Sequence, residues 1–317
     1  MKIQATEVIW FNGDFVPWNE AKVHVMSHAL HYASSVFEGL RAYSTPRGPA
    51  VVCLADHVRR LHRSCQLLAI PLEYSEETLC AAIRETVLRS GHQSCYIRPV
   101  VFRGYKVLGV DPTGCPVETA IATWPYGSHF GDEARDSGID CGFSSWRRIA
   151  PDTLPAMAKT AANYVNSQLA LLEAHRHGYH DAILLDVDGY ACESHGANLF
   201  ILLEGTLYTP PLGQSVLGGV TRGCVLSLAQ DLGMRVREQR LAREMVATAD
   251  EVFLSGTAAE VTPVRSIDGI PLSGGTRGPL TERLQGEYLG IVQGEIPDRH
   301  GWLSYVTDKR GTPARRS

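Results

Sequence analysis

Lysine is scarce in this chain: only five of its 30 basic residues are lysine, at positions 2, 22, 106, 159 and 309, and the rest are arginine. Long apolar runs are missing as well. Nothing approaches the roughly 20 consecutive apolar residues that cross a bilayer, and the opening MKIQATEVIW has no apolar core of a secretory signal. The expectation is a soluble, cytoplasmic protein with no membrane partner. The eight cysteines, at 53, 65, 80, 95, 115, 141, 192 and 224, stand at least twelve residues apart, which excludes a Cys-x-x-Cys metal clip and leaves reduced core thiols. A positive field is lacking too. Thirty Lys+Arg against 34 Asp+Glu leave a net charge of -4, so a small molecule is a better partner than nucleic acid. Rossmann, Walker and Gly-x-Ser-x-Gly signatures do not occur.

What is present is globular: 317 residues, 44% hydrophobic and 20% charged, enough chain for one large or two medium cores. Val58, Leu61, Cys65 and Leu68 recur at three and four residues and predict a helix over about 56 to 68. Ser75 caps a second one, with Glu76 and Glu77 in its first turn, Leu79, Ile83 and Val87 on one face, and Gly91 at its end. Strands are expected at about 95 to 102 and 117 to 124. Pro125, Gly127, Gly131 and Gly138 then punctuate a polar stretch that reads as a linker. Beyond it come a strand near 139 to 145, helices over about 161 to 177 and 221 to 232, hairpin turns at Asp188-Gly189 and Glu204-Gly205, and a strand at 252 to 254. The tail KRGTPARRS reads as frayed. The expected architecture is α+β, with domains at 1–124 and 138–317 joined by a linker at 125–137.

Lys159 stands apart from the other lysines, in the small-residue run Ala156-Met157-Ala158-Lys159-Thr160-Ala161-Ala162-Asn163 with no acid within six residues on either side. Such an amine is either partly desolvated, and so available as a nucleophile, or it snorkels to solvent. Gly218-Gly219-Val220-Thr221 before a helix and Ser255-Gly256-Thr257-Ala258 after a strand can each offer backbone N–H groups and a hydroxyl to a phosphate. A Schiff-base lysine beside phosphate-binding turns suggests a cofactor with an aldehyde and a phosphate, which describes pyridoxal 5'-phosphate.

The runs VHVMSHALHYASSVFEGLRAY (23 to 43), HVRRLHRS (57 to 64), YIRP (96 to 99), APDTLPAMAKTAANYVNSQLALLEA (150 to 174), LLDVDGYACESHGANLF (184 to 200), LGGVTR (217 to 222) and DEVFLSGTAAEVTPV (250 to 264) carry a resemblance to a known family. The chain resembles the branched-chain amino acid aminotransferases, which belong to the fold type IV pyridoxal-phosphate enzymes, over nearly its whole length to about residue 306. The resemblance implies a smaller N-terminal α/β domain, a larger C-terminal pseudo-barrel domain that binds the cofactor, and ping-pong transamination of Leu, Ile and Val with 2-oxoglutarate. By the same resemblance Lys159 would carry the cofactor aldehyde and shuttle the proton between substrate Cα and cofactor C4'. Glu193 would face the pyridine nitrogen, Tyr164 would bond the ring O3', and Arg60 would pair with the phosphate. Gly219, Val220, Thr221, Gly256 and Thr257 would complete the phosphate cup, and Leu217 would pack on the ring. The backbone at Thr257-Ala258 would hold the substrate α-carboxylate.

For the substrate side chain, Tyr32, Phe37, Gly39, Tyr126 and Val110 would form an apolar pocket, with Tyr96 and Arg98 available to a carboxylate. At roughly 0.8 kcal/mol per buried methylene, such a pocket separates leucine from alanine but hardly isoleucine from valine. His129 stands where many relatives have tyrosine, and Leu108 replaces a common methionine in a loop that would reach the partner subunit's site. The implied assembly is a homodimer at least, with a hexamer as the larger assembly considered. Three alternatives keep the fold: a D-amino acid aminotransferase, an (R)-amine aminotransferase or an aminodeoxychorismate lyase. A different class is a metal hydrolase built on His24, His28 and His31, whose spacings of four and three could bring three imidazoles to one helical face.

Overall fold

Residues 8–124 supply seven strands of an eight-stranded antiparallel sheet, and the eighth strand comes from near the end of the described chain. The computed structural model describes residues 3–307, and the tail KRGTPARRS lies outside the described residues. The described residues divide into two compact units, one of 3–127, 158–162 and 290–307, the other of 128–157 and 163–289.

In the first unit the elements run β1 (Val8–Phe11), β2 (Asp14–Pro17), α1 (His28–Tyr32), β3 (Ser35–Phe37), β4 (Leu40–Tyr43), β5 (Ala50–Val52), α2 (Leu54–Leu67), α3 (Glu76–Ser90), β6 (Cys95–Arg103) and β7 (Val117–Trp124). The central strand β6 pairs with β7, β4 and β3. Helices α2 and α3 bury Val58, Leu61, Cys65, Leu79, Ile83 and Val87 against Leu40, Ile97, Val101 and Ile121 of the sheet. Each such side chain contributes roughly 1.5–3 kcal/mol of apolar transfer. The local signals for α3 hold: the Ser75 hydroxyl accepts from the Thr78 N–H at 3.1 Å, and Gly91 ends the helix at φ 70°. Two late segments belong to this unit although the sequence reading places them in the second domain. The strand Leu303–Tyr305 pairs antiparallel with β5, and Thr160 forms an isolated bridge with Val36.

The second unit holds α4 (Asp132–Ser137), β8 (Ile139–Arg147), most of α5 (Ala161–Arg176), β9 (Asp181–Leu185), β10 (Ala191–Ser194), β11 (Asn198–Leu203), β12 (Thr206–Thr209), α6 (Val220–Asp231), β13 (Arg235–Glu238), α7 (Arg243–Ala247), β14 (Glu251–Gly256), β15 (Glu260–Ile267), β16 (Ile270–Pro271) and most of α8 (Pro279–Val292). Its sheet runs β10-β9-β8-β15-β14-β11, and a further β10–β11 pairing closes these six strands into a ring. This is the pseudo-barrel. Ile139, Ile183, Leu199, Ile201, Leu254 and Val264 from the ring strands pack into one cluster. The opposite face of β9 packs Ala182 and Leu184 on Ala170 and Ala174 of α5. Both predicted hairpins form: Asp186 Oδ1 accepts from the N–H groups of Asp188 and Tyr190, and Glu204 and Gly205 both have positive φ, at 48° and 70°. The stretch read as a linker contains α4. Its sequence, DEARDS, carries no apolar period that would announce a helix.

Candidate active site

In the first unit Lys159 sits in an extended segment just before α5, held from two sides. Its backbone N–H donates to Ser64 Oγ of α2 at 3.0 Å, and its carbonyl accepts from Phe37 N–H of β3 at 3.0 Å. Thr160 Oγ1 donates to the Ser35 carbonyl at 2.8 Å. The Lys159 ammonium lies 5.2 Å from the centre of the Phe37 ring. Bonds on both sides of the residue give the amine a fixed root.

Arg60, on the same helix as Ser64, grips Glu38 in a fork, Nε to Oε1 at 2.6 Å and Nη2 to Oε2 at 2.8 Å. His57 Nδ1 also reaches Glu38 Oε2, at 2.8 Å, and Glu38 is wholly buried. Burial alone would push the Glu38 carboxyl up, but Arg60 and His57 outweigh it and hold the group far below the usual carboxylate range. Burial holds His57 below the ordinary imidazole value against the pull of Glu38, and the charges on Arg60 and Lys159 add to the lowering. His57 is therefore a neutral donor, and Glu38 stays ionised to orient Arg60. Neighbouring Arg59 faces solvent and pairs with Asp56 at 2.7 Å.

The same unit gathers the expected substrate-facing aromatics. The Tyr96 ring lies 5.1 Å from Trp124 and 4.9 Å from Tyr126, centre to centre. The Arg98 guanidinium sits 4.7 Å from the Phe37 ring centre and 5.4 Å from that of Tyr96, and its buried Nε has no hydrogen-bond partner among the described residues. A cation with an unmet donor among ring faces suits a carboxylate. A Cβ at Gly39 would collide with the Tyr96 hydroxyl, so glycine there is what lets Tyr96 lie over the backbone. Tyr32 is exposed, as are Leu108 and Val110, the latter at 85%.

In the second unit Glu193 is buried in β10, where Arg148, Leu217 and Asn198 donate to it. Arg148 Nη2 meets Oε1 at 2.7 Å, and Oε2 accepts from Leu217 N–H at 3.0 Å and Asn198 Nδ2 at 3.3 Å. Asn198 Nδ2 also donates to the Leu217 carbonyl at 2.9 Å, which fixes the turn before α6. Helix α6 starts after Gly219 with no side-chain cap, and Val220 and Thr221 occupy its first turn. Its first N–H groups therefore point outward, the arrangement that favours an anion. A Cβ at Gly219 would strike the Asn198 amide oxygen. Thr257 and Ala258 follow Gly256 at the tight β14–β15 turn, where Ser255 pairs with Val261. Tyr164 stands half-buried on the first turns of α5.

His129 is exposed, and its ring lies parallel to that of His195 at 6.2 Å. His195 Nδ1 bonds buried Asp181 at 2.6 Å. Burial would lower the His195 imidazole, but Asp181 overrides it and raises the group above its ordinary value. The histidine cluster proposed for a metal does not form. His28 is buried with Nδ1 on Ser34 Oγ and Nε2 on the Gly109 carbonyl, both at 2.7 Å. Among the described residues no group of three or more His, Cys, Asp or Glu side chains could hold a metal ion. The sequence reading missed Glu38, Ser64, Arg148 and Asn198. Only Glu38 carried a signal: an acid inside the apolar run SVFEGL needs a buried cationic partner.

The family model described as Amino-transferase class IV matches residues 35–267. The branched-chain-amino-acid aminotransferase of Escherichia coli (strain K12) is 48% identical over 307 residues, covering 96% of this chain and 99% of that protein. That of Pseudomonas aeruginosa is 41% identical over 299 residues, covering 94% and 97%. The crystal structure of the Escherichia coli enzyme superposes with a TM-score of 0.93 at 48% identity, covering 95% of this chain and 100% of that one. The structure of a T.th. branched-chain amino acid aminotransferase with pyridoxamine 5'-phosphate gives 0.93 at 46% identity, covering 96% and 100%. The chain belongs to the class IV amino-transferases and, among them, to the branched-chain-amino-acid aminotransferase family.

Proposed function

We propose that this chain transfers the amino group of L-leucine, L-isoleucine or L-valine to 2-oxoglutarate, giving branched 2-oxo acids and L-glutamate in two ping-pong half-reactions with pyridoxal 5'-phosphate as cofactor. The observation that carries the reading is Lys159, an amine rooted by Ser64 and Phe37 in a chain of this family. The donor set suits the cofactor chemically: a buried carboxylate at Glu193, a fork-held guanidinium at Arg60 and a helix start without a side-chain cap at Val220.

When bound, the cofactor supplies the aldehyde that carries the amino group and the ring that draws electrons from the substrate Cα–H bond. Lys159 would hold the aldehyde end of the cofactor through its amine and, once the substrate amine has displaced it, would serve as the base that moves the substrate Cα proton. Glu193, paired with Arg148 at 2.7 Å, would accept the N1–H of the cofactor ring. Arg60, the N–H groups of Val220 and Thr221, and the hydroxyls of Thr221 and Thr257 would hold the phosphate, with Gly219 and Gly256 allowing close approach. The Tyr164 hydroxyl would bond O3', Leu217 would pack on the ring, and the backbone at Thr257-Ala258 would take the α-carboxylate. Phe37, Tyr32 and Tyr126 would exclude water around the branched side chain, and the loop carrying Leu108 and Val110 would close the partner subunit's pocket in the dimer. Tyr96, Arg98 and His129 receive the distal carboxylate of 2-oxoglutarate.

The active unit in this reading is a homodimer in the cytoplasm. Support comes from the exposed apolar side chains Val25, Leu30, Val107, Leu108 and Val110. Eight cysteines without disulfides suit a reducing compartment. No helix among the described residues is long and apolar enough to cross a membrane. A panel of amino donors with 2-oxoglutarate as acceptor tests the reaction: leucine, isoleucine and valine should exceed alanine and all D-amino acids in kcat/KM. Preference for a D-amino acid or an (R)-amine would overturn it. Sedimentation of active enzyme tests the dimer, and active monomers would contradict it.

A further inference from the structure

Helix α2 presents Arg60 and Ser64 one turn apart, about 6 Å along its axis. These two side chains belong to one closed circuit of contacts. Ser64 Oγ holds the Lys159 N–H at 3.0 Å, and the Lys159 carbonyl holds the Phe37 N–H at 3.0 Å. Phe37 is bonded to Glu38, Glu38 grips Arg60 at 2.6 and 2.8 Å, and one turn of α2 leads back to Ser64. Ser64 is fully buried and Glu38 is fully buried, so water cannot substitute for either bond. Glu38 is itself tied to the sheet through its N–H on the Pro99 carbonyl at 2.8 Å.

We propose that this circuit makes α2 a spacer that sets the separation between the Arg60 guanidinium and the Lys159 amine, with Ser64 and Glu38 as positioning residues. The inference rests on the reading that Arg60 meets the phosphate and Lys159 the aldehyde of one pyridoxal 5'-phosphate molecule. The fork to Glu38 leaves the guanidinium one orientation. The serine oxygen fixes the amide from which the lysine side chain departs. Loosening Ser64 displaces the amine and spares the phosphate grip; loosening Glu38 displaces the grip and spares the amine. Neither side chain is assigned to touch substrate or cofactor.

The test uses purified apoprotein and three probes: pyridoxal 5'-phosphate, pyridoxamine 5'-phosphate, which has the phosphate and no aldehyde, and pyridoxal, which has the aldehyde and no phosphate. Binding is followed by equilibrium titration, and covalent capture by borohydride reduction with mass spectrometry. Ser64→Ala should slow capture of pyridoxal 5'-phosphate and pyridoxal at least about tenfold and leave pyridoxamine 5'-phosphate affinity within about twofold. Glu38→Gln should weaken both phosphorylated probes at least about tenfold and leave pyridoxal capture within about twofold. If Ser64→Ala gives no soluble protein, Ser64→Cys, similar in size and a weaker acceptor, is read the same way. Equal losses across the three probes in both variants would mark a general structural role and overturn the spacer. No loss in either would overturn it too. Failure of the wild-type protein to capture pyridoxal 5'-phosphate would instead refute the underlying functional reading.

Discussion

Arg148→Met removes the cation beside Glu193 while keeping most of the side-chain volume. In the wild type the two groups meet at 2.7 Å, each with a side chain only 7% exposed. Removing one partner of a buried pair strands the other charge, at a cost of about 3–5 kcal/mol, whereas replacing both with neutral groups is often nearly free. Arg148 also donates to the Ser215 carbonyl at 3.3 Å, a loss of about 1 kcal/mol that the double variant does not recover. Urea unfolding of the apoprotein should therefore put Arg148→Met about 3–5 kcal/mol below wild type at pH 8, with Arg148→Met/Glu193→Gln recovering all but about 1–2 kcal/mol. A stranded carboxylate takes up a proton more readily, so the deficit of the single variant should shrink toward pH 5. A single variant within about 0.5 kcal/mol of wild type, or a double variant less stable than the single, would refute the reasoning.

Three other substitutions report on different parts of the site. Gly39→Ala drives a methyl into the Tyr96 ring and should raise KM for leucine at least about tenfold, with a smaller change in kcat, by steady-state kinetics. Arg98→Ala should slow the half-reaction with L-glutamate about 10–100-fold more than that with L-leucine in single-turnover measurements, since a charged hydrogen bond is worth roughly 1.5–3 kcal/mol; equal losses would remove Arg98 from carboxylate recognition. Asp181 raises the His195 imidazole above its ordinary value of 6.5, so the stability this pair contributes is complete below 6.5 and is lost as pH rises through the folded value. Thermal unfolding of Asp181→Asn should lack that decline, and an unchanged profile would exclude the pair as its source.

Local signals announced local structure. The recurrence of Val58, Leu61 and Cys65 marked α2, the Ser75 hydroxyl and Gly91 bounded α3, and the two hairpin turns of the second unit lie where glycine allows positive φ. Long-range pairing left no such trace. Nothing near Leu303 says that it will pair with Val52, nor near Thr160 that it will bridge Val36, because register between distant strands is decided by the assembled sheet. The site shows the same split. Lys159 could be singled out because the chain has few lysines and this one lacks nearby acids. Glu38, Ser64 and Arg148 act through partners 22, 95 and 45 positions away, and their roles became visible only with the bonds themselves.

The central claim is that the amine of Lys159 is the one that engages the cofactor aldehyde. Borohydride reduction of the holoenzyme followed by peptide mapping tests it most directly. The account predicts one pyridoxyl adduct per chain, on the peptide that contains Ala158-Lys159-Thr160. An adduct on Lys22 or Lys106 instead, or none on any lysine, would contradict it.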